Sequence, residues 1–262
     1  MLVVDSSTST AGMAGQVVVS GSHGGRYPAM LTAAAGARAA IFNDASRGLD
    51  DSGVAGVSWL QTVGIPAAAV GHLTARIGDG RSTLDDGRLT EVNDEAAGLG
   101  CRPGMPAAEA AALLLAAPDP GEPAQLTVPE EARHALEADG CLDAVALDSA
   151  SLVAPEDADA LVFCGSHGAL VGGRPETALR HPVRLAVFND AGGGPDGRGR
   201  TRLGALADRD IAAATVSSTS ARLGDGRSTY ATGVLSEVNE VARRQGLVPG
   251  MPARAATEAI CR

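Results

Sequence analysis

Residues 74–83 read Thr-Ala-Arg-Ile-Gly-Asp-Gly-Arg-Ser-Thr, and residues 220–229 read Ser-Ala-Arg-Leu-Gly-Asp-Gly-Arg-Ser-Thr, identical at eight of ten positions. Working outward, the same spacing of 146 residues joins Phe42-Asn43-Asp44-Ala45 to Phe188-Asn189-Asp190-Ala191 and Glu91-Val92-Asn93 to Glu237-Val238-Asn239. It also joins the Pro-Gly-Met-Pro-Ala run at 103–107 to that at 249–253. Gly21-Ser22-His23-Gly24 recurs as Gly165-Ser166-His167-Gly168 at a spacing of 144, so one two-residue insertion aligns everything. Five motifs in the same order mark a tandem duplication.

Within each copy, short β-branched or apolar runs alternate with helical stretches. In the first copy, strands are expected at Leu2–Val4, 16–19, 39–42 and 66–70, and helices at 28–35, 54–63, 89–99 and 107–117. Alternation of this kind predicts an α/β fold, a mainly parallel sheet flanked by helices. Two tandem repeats of one α/β unit would then be related by a pseudo-two-fold axis. The first repeat is expected over 1–117, a linker and connecting helix over 118–140, and the second repeat over 141–262, as two lobes or one continuous domain. The linker is the Pro-Asp-Pro-Gly-Glu-Pro run at 118–123, and the connecting helix is expected at 129–138.

Composition narrows the function. The net charge is −10 and the chain has no lysine, every basic residue other than histidine being arginine. An acidic chain without a basic block argues against nucleic acid and anionic membranes as partners. Without lysine there is no Schiff base, Ser–Lys dyad or Walker-type phosphate loop. No apolar stretch approaches the roughly 20 residues that span a bilayer, and Met-Leu-Val-Val-Asp at the start lacks a basic signal-peptide region. A cytoplasmic protein is expected, and a homo-oligomer is compatible with the sequence. Cys101, Cys141, Cys164 and Cys261 lie far apart, so reduced thiols are expected rather than a zinc site. Cys164 reads as a buried strand residue rather than a nucleophile.

The repeated polar residues fall just after strands. In a parallel sheet the carboxyl ends of the strands share one edge, where ligands bind. The Gly-rich turn around Ser22, His23, Gly24 and Gly25, with its counterpart Ser166, His167 and Gly168, offers free amides for an anion or oxyanion. Its bland reading is a tight turn. The glycines miss the G-x-G-x-x-G and G-x-S-x-G patterns. Asn43-Asp44 and Asn189-Asp190 suit an Asx turn, or could orient an imidazole, ligate a cation or hold a hydroxyl. Arg76 and Arg81, with Arg222 and Arg227, are planar donors suited to a carboxylate, or to internal ion pairs with acids. Asp79 and Asp225 sit between glycines, and Ser82 and Ser228 are expected as caps or ligand contacts. Glu91 and Asn93, two apart on the expected helix, cannot share a face, and Asn93 reads as packing or capping. Of the five histidines only His23 and His167 are matched by the repeat; His72 aligns with Ser218.

These readings point to an enzyme acting on a small anionic, carboxylated metabolite. The expected reaction is hydrolysis of an amide or ester bond. Ser22 or Ser166 (or an activated water) would be the nucleophile and His23 or His167 the base. Asp44, Asp79, Asp190 and Asp225 would orient the base, with Gly24, Gly25 and Gly168 forming the oxyanion site. Asn43, Asn189, Arg76, Arg81, Arg222, Arg227, Ser82 and Ser228 would bind substrate. A lyase or isomerase using His for proton abstraction, and a non-enzymatic anion- or nucleotide-binding module, are the alternatives. No cofactor is expected; a divalent metal on Asp44, Asp79 and His23 is the minor variant, unsupported by compact ligand spacing.

Overall fold

The computed structural model describes residues 1–119, 126–137 and 142–261. The chain forms two compact units. Unit 1 comprises Met1–Arg47, Asp51–Pro129 and Gly194–Asp196, and unit 2 comprises Gly48–Asp50, Glu130–Gly193 and Gly197–Arg262. Each is α/β, with a mixed, mostly parallel sheet flanked by helices.

Unit 1 runs β1 (Leu2–Val4), β2 (Val17–His23), α1 (Arg26–Ala34), β3 (Ala39–Asn43), α2 (Ala55–Gln61), β4 (Ala67–Val70), α3 (Gly80–Asp85), β5 (Leu89–Val92), α4 (Asp94–Gly98) and α5 (Ala107–Leu114). The strands lie in sequence order, β1 to β4 parallel and β5 antiparallel to β4. Strands rich in Val and Ala are buried on both faces, as parallel strands require. On one face Val17, Val19, Ile41 and Val70 meet Ala107, Ala110, Ala111 and Leu114 of α5. Those four recur at the spacing of an apolar helix stripe. On the other face Phe42, Ala67 and Ala69 meet Ala29 and Ala33 of α1 and Val57 and Leu60 of α2.

Unit 2 runs β6 (Arg133–Leu136), β7 (Ala144–Leu147), β8 (Leu161–His167), β9 (Leu185–Asn189), α6 (Arg202–Ala207), β10 (Ala212–Val216), α7 (Gly226–Ala231), β11 (Leu235–Val238), α8 (Glu240–Arg244) and α9 (Ala256–Ile260). The four central strands are parallel, and β6 and β11 are antiparallel edges. Between β8 and β9, Gly172, Gly173 and Pro175 break helical structure into the short 3-10 turns Val171–Gly173 and Pro175–Thr177. Arginines take up the carbonyls left open there. Buried Arg202 donates to Ala178 and, at 3.0 Å, to Ala169, and its guanidinium stacks over Phe188. Arg209 donates to Leu179 at 2.7 Å.

Three expectations need correction. The segment expected as one helix over 89–99 is strand β5 followed by α4. Asn93 divides them because its side chain accepts from the Ala96 amide and caps the helix. Glu91 therefore lies on a strand. The connecting helix expected at 129–138 is instead strand β6, where pairing Arg133 with Leu147 and Leu136 with Ala144 outweighs helix propensity. Cys261 is disulfide-bonded rather than reduced, whereas Cys101 and Cys164 are free. Residues 120–123 of the expected linker, 138–140 of the connecting segment and Cys141 lie outside the described residues. No described helix is long and apolar enough to cross a membrane.

Candidate functional site

The parallel sheet of unit 1 brings three sequence motifs to one edge. His23 ends β2 opposite Asn43 of β3, and Asn43 pairs with Val70 of β4. The chain then turns through Gly71 into His72. β2 and β4 are two strand spacings apart, about 10 Å.

Asp44 organises this edge. Its Oδ1 accepts from the amide of Ser46 at 2.9 Å, the amide of His72 at 2.8 Å and Nδ1 of His72 at 3.0 Å. Its Oδ2 accepts from the Thr90 hydroxyl at 2.9 Å. Burial pushes this carboxyl up, but the His72, Ser46 and Thr90 hydrogen bonds outweigh it and hold the group below the ordinary carboxylate range. An ionised carboxylate can only accept, so Nδ1 of His72 carries a proton, and Nε2 is the nitrogen left to exchange one. Asn43 supports the turn. Its Oδ1 accepts from Ala45 at 2.9 Å and its Nδ2 donates to Ala75 at 3.1 Å, tying the 71–79 loop to the strand end.

His23 has the opposite polarity. Its Nδ1 accepts from the Gly25 amide at 3.1 Å, and burial lowers its pKa to about 4. The ring is therefore neutral at physiological pH, with Nε2 protonated. Ser22 Oγ accepts from the Ser7 amide at 2.9 Å, and among the described residues it has no hydrogen bond to an imidazole. Ser22 and His23 thus share a turn without forming a nucleophile–base pair.

The Gly-Asp-Gly segment serves packing. Asp79 is the N-cap of α3, its Oδ1 accepting from Ser82 at 2.8 Å, and Asp5 accepts from Gly80 at 3.1 Å. A Cβ on Gly21 would stand 2.3 Å from the Asp79 nitrogen, and one on Gly80 would stand 2.2 Å from the Val4 carbonyl. These glycines let backbone approach backbone. Ser82 Oγ accepts from Arg76 N at 3.1 Å and donates to Asp86 at 2.8 Å. Arg81 is exposed and pairs with Asp85 one turn on. Arg76 pairs with Asp196 of the same unit at 3.0 Å, while its buried Nε makes no hydrogen bond among the described residues.

In unit 2 much of this bonding recurs. Asn189 accepts from Ala191 and donates to Ala221, and Asp190 Oδ1 accepts from the amides of Gly192 and Ser218, each at 2.9 Å. His167 Nδ1 accepts from Ala169 at 3.2 Å, Ser166 Oγ accepts from Ala150 at 2.9 Å, and Asp225 caps α7 through Ser228. A Cβ on Gly168 would meet the Gly199 carbonyl at 2.6 Å. Arg222 pairs with Asp50 of the same unit, and Arg227 is exposed. Burial pushes the Cys164 thiol up to about 11, so it is not a ready thiolate.

Two residues escaped the sequence reading. His72 has no counterpart histidine, so the repeat does not mark it; its place just after β4 is the one signal the sequence carries for it. Glu131 precedes β6, and burial pushes its carboxyl up to about 6 despite hydrogen bonds from Ser149 and Ser151. Among the described residues no three His, Cys, Asp or Glu side chains gather as metal ligands. Comparison with family models, characterised proteins and solved structures returns no significant match.

Proposed function

We propose that the protein is a hydrolase of an amide or ester bond in a small carboxylated metabolite, working at the strand-end edge of unit 1. The observation that carries this reading is the Asp44–His72 bond. It leaves Nε2 of His72 as a general base, with Asp44 stabilising the imidazolium that forms. The base acts on water, because the Ser22 hydroxyl has no imidazole partner. His72 draws a proton from the water as its oxygen bonds to the carbonyl carbon, and the acyl C–O or C–N bond then breaks as His72 returns that proton to the leaving oxygen or nitrogen. Neutral His23 offers an Nε2–H donor to the oxyanion. We take Arg76 as the substrate-binding arginine, since its guanidinium is partly exposed and carries planar donors suited to a carboxylate. We also take the two units to be copies of one ancestral α/β unit related by a pseudo-two-fold axis, divided near residues 118–140.

The test is hydrolysis of p-nitrophenyl hydrogen succinate, an activated ester with a free carboxylate. Asp44→Asn should lower kcat by on the order of 100-fold or more, because the amide cannot stabilise the imidazolium. Arg76→Ala should raise KM by about 10-fold with kcat nearly kept, the signature of lost uniform binding. A parent protein no faster than buffer would end the hydrolytic reading.

A further inference from the structure

We infer that the chain has a single catalytic centre, in unit 1, and that unit 2 is silenced by the loss of one imidazole. This rests on the hydrolytic reading above and goes beyond it by assigning the chemistry to one copy.

The carboxylate frame is kept in both units. Asp44 Oδ1 accepts from the amides of Ser46 and His72, and Asp190 Oδ1 accepts from the amides of Gly192 and Ser218, all between 2.8 and 2.9 Å. What differs is the side chain carried by the second amide. In unit 1 it is an imidazole that adds a bond to the carboxylate at 3.0 Å. In unit 2 it is a serine, whose hydroxyl cannot take a proton near neutral pH. The support has changed with it. Thr90 donates to Asp44, whereas Ser236, at the matching position, bonds to Thr215 at 3.0 Å.

Among the described residues of unit 2, no imidazole hydrogen-bonds to Asp190. His167 has its Nδ1 lone pair engaged by the Ala169 amide at 3.2 Å, so that nitrogen does not stand in for the His72 base. The other two imidazoles, His134 on β6 and His181 before β9, do not hydrogen-bond to Asp190.

His72→Asn isolates the point. Its amide nitrogen replaces Nδ1 and keeps a donor for Asp44, while the basic Nε2 is gone, so the fold is retained and the chemistry is not. On p-nitrophenyl hydrogen succinate, His72→Asn should keep less than about 1% of parental turnover with its Tm preserved. Adding Ser218→His to that variant should restore turnover at least about 10-fold, since the carboxylate frame awaits it. About half the parental rate left in His72→Asn would mean a second working centre and would overturn the inference. So would a double variant no better than the single one. A parent that fails to hydrolyse the ester defeats the hydrolytic reading itself, a distinct result.

Discussion

The backbone amide of Gly25 donates to Nδ1 of His23 at 3.1 Å, and that bond makes the ring a proton donor instead of a base. Burial of the ring also makes stability depend on pH. The folded ring resists protonation until about pH 4, while in the unfolded chain it titrates near its ordinary value of 6.5. Between those values the unfolded state binds a proton that the native state refuses, so stability falls as the pH falls through this window. The parent should lose about 2 kcal/mol more than His23→Gln between pH 7 and pH 4.5. Urea titrations at the two pH values measure it, and parallel losses in both proteins would show that His23 is readily protonated in the fold.

Close backbone approach gives a second expectation. Gly21→Ala would place a methyl 2.3 Å from the Asp79 nitrogen and 2.8 Å from the Asp5 carbonyl, neither of which can move aside cheaply. It should cost more than about 3 kcal/mol. Gly98→Ala, in α4 with nothing within 4 Å of the added methyl, should gain about 0.5 kcal/mol from helix propensity alone. Thermal melts of the two variants should move in opposite directions; equal shifts would contradict the packing argument.

Asn93 uses all its hydrogen-bonding capacity. Its Nδ2 donates to Val57 at 3.2 Å and to Ile65 at 2.9 Å, and its Oδ1 accepts from Ala67 at 2.9 Å and Ala96 at 3.0 Å. Asn239 repeats the arrangement with Leu203, Ile211, Ala213 and Ala242. The isosteric Asn93→Asp keeps the shape but sets a buried carboxylate against two carbonyls. A loss of at least about 2 kcal/mol at pH 7 is expected from the denaturation midpoint. An unchanged midpoint would leave the residue without a structural role.

Much of the fold was legible because its signals are local. Alternating apolar strands and helical runs announce an α/β sheet, and Asn93 already read as a packing or capping residue. The helix expected over 89–99 shows where local reading stops. Leu89-Thr90-Glu91-Val92 is strand only because β4 lies alongside to pair with it. At the site, repetition was a filter that worked in one direction. It gathered Asn43, Asp44 and Asp79, two of which the structure uses for turn and cap, and it discarded His72. A residue found in one copy only cannot be seen by comparing copies. Hydrogen bonds across β3, β4 and β5 reveal it, because Asp44, His72 and Thr90 meet only when three strands are in register. The acid partners of Arg76 and Arg222, far away in sequence, were hidden for the same reason.

The chain has one tryptophan, and α2 presses that Trp59 against the core of unit 1. Its emission is therefore a local reporter on unit 1, sensitive to loosening around Phe42 and Leu60. Far-ultraviolet dichroism sums the backbone of both units. Comparing the two optical signals through a melt tells cooperative collapse from stepwise loss of order, with no label or cut in the chain.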